Sequence, residues 1–367
     1  MSGEYPIKYN YFLYKGSKSC YTCDYKRFGK HNFNRFIVAF ISLLAITILF
    51  SSCSTNRTNN TNIENGKVTV YTSFFTMYDF TSKIGGDKIN IINMVPSGME
   101  PHHWEPSPKD VAGLSHAELF IYNGAGMEGW AEKVLDSINN ENLIAVETSK
   151  DVSVQKSNHT HASEEHNTES GKEHSNEEHN TKNDGGHFHD NHNHDYDPHV
   201  WLNPMNAKIQ MEAIKDGLIK VDPLNQEYYQ QNYEIYAQKL DELDRKYKEA
   251  VLTFSKKEIV VSHEAYGYLC TAYGLTQVAL EGIASESEPT PAKMAEIVDF
   301  VKEHDVKVIF FDGLASSKVA EAVARETGAS VAVLSPLEGI SQEDLKEGKD
   351  YFSIMEDNLK ALSAALR

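Results

Sequence analysis

Apolar and polar positions alternate along most of this chain in two rhythms. Short β-rich runs at residues 68–72, 89–95, 119–123 and 143–146 are separated by stretches with helical apolar spacing, at 107–115 and 130–138. The pattern resumes later, with strand-like runs at 259–262, 278–281, 306–311 and 331–334 and helical patterns at 291–303, 316–327 and 349–366. Strands alternating with helices predict an α/β class with parallel sheets covered on both faces. Two such blocks predict two lobes.

Between the blocks lies a long helical pattern, 226–254. Tyr229, Tyr233, Tyr236, Leu240, Leu243, Tyr247, Val251 and Phe254 recur at spacings of three and four, and no Gly or Pro interrupts them. At about 1.5 Å per residue such a helix would span roughly 43 Å. The plainer reading is an amphipathic surface helix; its position favours a rigid element joining an N-terminal lobe, 67–225, to a C-terminal lobe, 255–367.

Two segments fall outside both rhythms. Residues 158–195 are crowded with His, Glu, Asp, Asn and Gly, and such a composition cannot bury enough apolar surface to fold by itself. A mobile loop is expected there. It holds His159, His161, His166, His174, His179, His187, His189, His192 and His194, nine of the chain's 16 histidines. Neutral imidazole is a strong ligand for zinc, copper and nickel, so auxiliary, weak metal capture is favoured over low-complexity drift.

The second segment is the beginning of the chain. Lys26, Arg27, Lys30 and Arg35 precede an apolar run at 36–50, followed by Ser51-Ser52-Cys53. The run is short of the roughly 20 residues that span a bilayer but suits a signal-peptide core. Its end resembles a bacterial lipobox, with Phe50 where Leu is usual. A signal peptide over 1–53 is expected, with acylation of Cys53 anchoring the chain to the outer face of the cytoplasmic membrane. A plain secretory signal or membrane anchor is the alternative. Residues 54–66, rich in Asn and Thr, read as a flexible tether.

Composition narrows the function. At 367 residues the chain is long enough for two lobes, and a formal net charge of −18 argues against a nucleic-acid partner. Cys20 and Cys23 fall in the expected leader, leaving Cys53 and Cys270, so neither an internal disulfide nor a four-Cys zinc cage is expected. Cys270, in an apolar helical context, reads as a packed core thiol.

Three of the histidines outside the rich loop lie beside a predicted strand or at a turn: His102 in 98–108, His199 in 197–204 and His263 in 262–268. Two of them follow predicted strands, where open α/β sheets bind ligands. Their flanks read G-x-E-P-H-x-W-E-P-S-P, D-P-H-V-W-L-N-P and S-H-E-A-Y-G-Y. These strings resemble the zinc-binding branch of the cluster A-I solute-binding proteins of metal ABC importers, the ZnuA/TroA-like family, over the chain from Lys67 to its C-terminus. The His-rich insertion before D-P-H is also a feature of zinc-specific members.

The resemblance implies two Rossmann-like lobes joined by one long rigid helix, with a metal in the interlobe cleft. It implies His102, His199 and His263 as ligands, while His103 does not occupy the ligand place. Manganese-type relatives carry a carboxylate where this chain has His263, and imidazole favours zinc. For the fourth position Glu338 is the candidate, with Glu100 and a water as alternatives; the aspartate of manganese-type relatives aligns with Leu337, one residue earlier. Glu264, Asp197 and backbone carbonyls are candidates for fixing the ligand tautomers. The implied role is capture of Zn2+ as transported ligand and delivery to an ABC permease and its ATPase, by a monomer. A manganese-type protein or adhesin of the same family is the alternative within that class. A zinc-dependent hydrolase is the alternative outside it, disfavoured because H-E-x-x-H, G-x-S-x-G and a phosphate loop are all missing.

Overall fold

The valine- and threonine-rich run Val68–Thr72 forms β1 and alternates buried with half-buried side chains, as a strand packed on one face requires. In the computed structural model the described residues are 66–156, 196–282, 290–314 and 316–367. Chain order continues through α1 (Phe75–Gly85), β2 (Ile89–Asn93), α2 (Pro108–Leu114), β3 (Leu119–Tyr122), α3 (Ala131–Ser137) and β4 (Ile144–Glu147). After α4 (Pro204–Val221) and α5 (Gln226–Val251) come β5 (Glu258–Val261), α6 (Gly267–Tyr273), β6 (Thr276–Ala279) and α7 (Pro291–Glu303). The chain ends with β7 (Val308–Phe311), α8 (Lys318–Thr327), β8 (Ser330–Val333), α9 (Gln342–Lys346) and α10 (Tyr351–Leu366).

The strands form two four-stranded parallel sheets, ordered β2-β1-β3-β4 and β6-β5-β7-β8, so the two lobes repeat one topology. Val70 lies opposite both Ile91 and Leu119, and Leu119 opposite Ile144. In the second sheet Val260 lies opposite both Val278 and Ile309. Each strand order reverses beside its first strand, and the carboxyl ends at such a point open the crevice where α/β sheets bind ligands.

Side-chain alternation shares the apolar surface between inner and outer layers. Leu119 and Ile121 join the main core, whereas Phe120 between them packs with Leu114, Trp130 and Ala131 under α2 and α3. Likewise Ile259 and Val261 face the main core, and Val260 faces Ile297, Val301 and Val323 of α7 and α8. The main core runs without a break from Val70 and Ile121 through Leu240 and Tyr247 of α5 to Val261 and Phe310. The two lobes therefore share one apolar interior on the α5 side.

The long helix ends at Val251, three residues before the pattern 226–254 does, and Phe254 is buried beyond it. It packs against α1, α6 and α10 and most extensively against α4. The hydrophobic pattern left α1, α4 and α9 unmarked. In α4 the buried face includes Gln210 and Gly217, which interrupt the apolar stripe. Gly217 is there for close approach: a Cβ at that position would lie 2.9 Å from Val146 Cγ2 in β4.

Leu240 lies buried at the middle of α5 in the shared core. Leu240→Ala is expected to lower unfolding stability by about 2–5 kcal/mol. Thermal or denaturant unfolding checks this; an unchanged midpoint would make α5 the surface helix of the plainer reading.

Candidate metal centre

Each of the three sequence motifs divides its residues between scaffold and site. In 98–108, Ser107 caps α2, its hydroxyl accepting from the Asp110 backbone N–H while the Asp110 carboxylate accepts in return from the Ser107 backbone N–H. Pro108 occupies the first helical turn, where its missing N–H costs nothing. His102 rides the turn before that cap. In 197–204, Asn203 caps α4 by accepting from the Met205 backbone N–H, and Pro204 starts the helix. Trp201 donates its indole N–H to the Pro336 carbonyl at 2.7 Å. Asn123, at the end of β3, donates to the Pro198 carbonyl at 3.0 Å and accepts from Gln210 of α4, so His199 is braced from the first sheet. His263 follows β5 by two residues, and Ser262 beside it is tied to the β7 end through the Phe310 carbonyl.

These elements bring His102, His199, His263 and Glu338 together, with one candidate ligand atom from each lying within 4.8 Å of all the others. Among the described residues this is the one such group of three or more metal-ligating side chains. The His102 and His199 Nε2 atoms are 3.3 Å apart. Glu338 Oε1 lies 2.7 Å from His199 Nε2, 3.0 Å from His263 Nε2 and 3.5 Å from His102 Nε2. All four side chains are buried, none more than 2% exposed. Bonds of about 2.0–2.1 Å to a tetrahedral ion would set ligand atoms about 3.3 Å apart. The cluster thus has the size of a zinc coordination shell, and three nitrogens with one oxygen is a donor set zinc accepts.

Asp197 fixes one tautomer. Its Oδ1 accepts from the His199 backbone N–H at 3.0 Å and lies 2.7 Å from His199 Nδ1. A carboxylate has no proton to offer, so Nδ1 is the donor and Nε2 faces the cluster. Glu100 stands apart, 3.9 Å from His102 Nε2 and partly exposed. Burial pushes its carboxyl up from the ordinary value. His103 is not part of the cluster; together with His102, Trp104, Trp130 and Lys133 it lines a cleft of about 240 Å³.

The electrostatics are those of a carboxylate ringed by imidazoles. Burial alone would raise the Glu338 carboxyl, but the His263, His102 and His199 imidazoles outweigh it and hold the group well below the usual carboxylate range. Burial would lower His199, yet its hydrogen bonds to Asp197 and Glu338 raise it to about 10. His263 is raised in the same way, Glu338 prevailing over burial. Glu338 Oε2 has no hydrogen-bond partner among the described residues, which leaves one buried lone-pair site unused.

Cys270 is a buried free thiol on α6, pushed up to about 12 by burial, as a core thiol should be. Cys53 and the nine histidines from His159 to His194 lie outside the described residues. Among the described residues no helix is long and apolar enough to cross a membrane.

Comparison with known proteins agrees on one family. The profile described as zinc-uptake complex component A, periplasmic (ZnuA), matches residues 70–365. The chain is 39% identical over 325 residues to the high-affinity zinc uptake system protein ZnuA of Bacillus subtilis, spanning 88% of this chain and 96% of that protein. It is 34% identical over 303 residues to the zinc-binding lipoprotein AdcA of Streptococcus pneumoniae, spanning 81% of this chain and 55% of AdcA. The solved Zn(II)-bound ZnuA-like domain of Streptococcus pneumoniae AdcA superposes with a TM-score of 0.67 at 32% identity, over 82% of this chain and 99% of that domain.

Because His199 is raised from 6.5 to about 10 in the folded chain, its imidazolium contacts contribute fully below about pH 6.5 and are lost as pH rises towards 10. The metal-free protein is therefore expected to lose thermal stability across that window. Asp197→Asn, which removes the carboxylate behind Nδ1, should flatten the loss. Thermal melts in chelator at several pH values measure it; equal slopes in both proteins would contradict the role given to Asp197.

Proposed function

This chain belongs to the zinc-uptake complex component A family, and from that premise we propose that it captures Zn2+ outside the cytoplasm and delivers it to the permease and ATPase of a metal ABC importer. The observation that carries this reading is the buried convergence of three imidazole nitrogens and one carboxylate oxygen at the junction of two lobes. His102, His199 and His263 bind the ion through Nε2, and Glu338 through Oε1. The chain is a carrier, and the ion is its cargo. Cys53 holds it to the membrane through lipid, 54–66 is the tether, and the histidines of 158–195 collect metal and raise its local concentration near the cleft.

Physical chemistry supports zinc over a harder ion. Imidazole nitrogens favour zinc relative to manganese, which prefers carboxylate and water. The proton held by His199 up to about pH 10 must leave when the ion enters, so affinity should fall as pH falls. Release calls for loosening around 96–104 and 337–339 more than for a wide hinge, because the lobes share their apolar core along α5. The two loops already touch: a Cβ on Gly339 would stand 3.0 Å from the Met99 carbonyl oxygen.

One tight zinc site and several weaker ones are expected per chain. Competition titration against chelators of graded strength should show that deleting 158–195 removes the weak sites and leaves the tight one. His199→Ala should abolish the tight one by removing a ligand. Tight binding that disappears with the deletion would refute the four-residue assignment. His263→Glu should shift preference towards manganese, since a hard oxygen replaces a borderline nitrogen. An unchanged zinc-to-manganese ratio would mean that selectivity is set elsewhere.

A further inference from the structure

Glu338 reaches the cluster from a segment held in an unusual way. Its preceding carbonyls, from Leu334 to Leu337, each accept a hydrogen bond from a side chain of a different element. Tyr266 donates its hydroxyl to Leu334, and Asn358 of α10 donates its amide to Ser335 at 2.7 Å. From the other lobe, Trp201 donates to Pro336 at 2.7 Å, and the Thr76 hydroxyl of α1 donates to Leu337. Thr76 and Leu337 are both fully buried, so water does not compete for this bond. Leu337 itself has φ +61, the left-handed region that branched, non-glycine residues avoid. That conformation turns the Leu337 side chain into the shared core and Glu338 towards the imidazoles.

We propose that Thr76 is a positioning residue for Glu338: its hydroxyl, donated across the lobe junction, holds Leu337 in the left-handed conformation that delivers the carboxylate to the metal. The proposal rests on the reading of Glu338 as a zinc ligand. Without the hydroxyl, the Leu337 carbonyl would be a buried acceptor lacking a partner, and the strained backbone would lose the contact that over-determines it. The chain relaxes by rotating residue 337, and Glu338 swings away with it. The pin also links ligand to lobe geometry. Thr76 belongs to the first lobe and Glu338 to the second, so any loosening between the lobes withdraws the carboxylate from the ion.

The test compares the full chain with Thr76→Val, Thr76→Ser, Glu338→Gln, Thr76→Val/Glu338→Gln and Thr76→Val/Leu337→Gly. Zinc affinity of the tight site is read by chelator competition, and coordination by the visible absorption of the Co2+-loaded forms. Thr76→Val is expected to weaken zinc about tenfold and to alter the cobalt bands, whereas Thr76→Ser, which keeps the hydroxyl, stays close to wild type. In the Glu338→Gln background Thr76→Val should add nothing, because the residue acts through that ligand. Glycine at 337 adopts positive φ without strain, so Thr76→Val/Leu337→Gly should recover most of the lost affinity. Wild-type affinity and cobalt spectrum in Thr76→Val would overturn the proposal, as would an equal loss in the Glu338→Gln background, the signature of a merely structural hydroxyl. Wild-type binding by Glu338→Gln alone would instead overturn the ligand reading, and the proposal with it.

Discussion

A carboxylate that is 2% exposed at the junction of two lobes is the constraint on which the rest of this structure turns. Removing such a charge from water is costly unless opposite charge and hydrogen bonds surround it. Here the compensation comes from both sides: His102 and His199 from the first lobe and His263 from the second. Moving any one of the three leaves the anion less well compensated. In the metal-free protein the compensation is protonic, which is why His199 and His263 hold their protons unusually hard. In the proposed zinc-bound form, a divalent cation of the right size takes over the same task with a single centre.

The same constraint explains how much of the surrounding chain is scaffold. In 197–204 only His199 enters the cluster; Asp197 fixes its tautomer, Trp201 pins the Glu338 segment, and Asn203 with Pro204 starts the helix that braces Asn123. Each of these contacts removes a freedom from a side chain of the cluster. A site whose ligands are locked by packing and hydrogen bonds binds without a large ordering cost. That preorganisation is set against release. A continuous core along α5 limits wide separation of the lobes. Under the coupling proposed between the lobe contacts and the Glu338 segment, a small movement would act directly on the ion.

How much was legible beforehand differs by element. Both sheets were readable because their strands are short apolar runs whose character does not depend on their neighbours. The helix α5 was readable because its stripe of Tyr, Leu and Val repeats at helical spacing over seven turns of uninterrupted chain. The helices α1 and α4 were not. Helix α1 is rich in Thr and Phe, and Gln210 and Gly217 break the stripe of α4 for reasons that lie in other elements: Gln210 donates to Asn123 and Thr148, and Gly217 admits Val146.

Two α/β blocks, a long joining helix, an acidic balance of charge and three histidines in distinctive strings could be read from residue order alone. Those properties are local, written in residue type and spacing over stretches of ten or so positions. That Glu338 rather than Glu100 approaches all three imidazoles, that Asp197 sets the His199 tautomer, and that Thr76 meets Leu337 emerges with the folded chain. These depend on pairs separated by as many as 261 positions and on one backbone angle at Leu337. A left-handed leucine has no local signal, because leucine's own preference is for negative φ and its distant contacts do not show in the residues beside it.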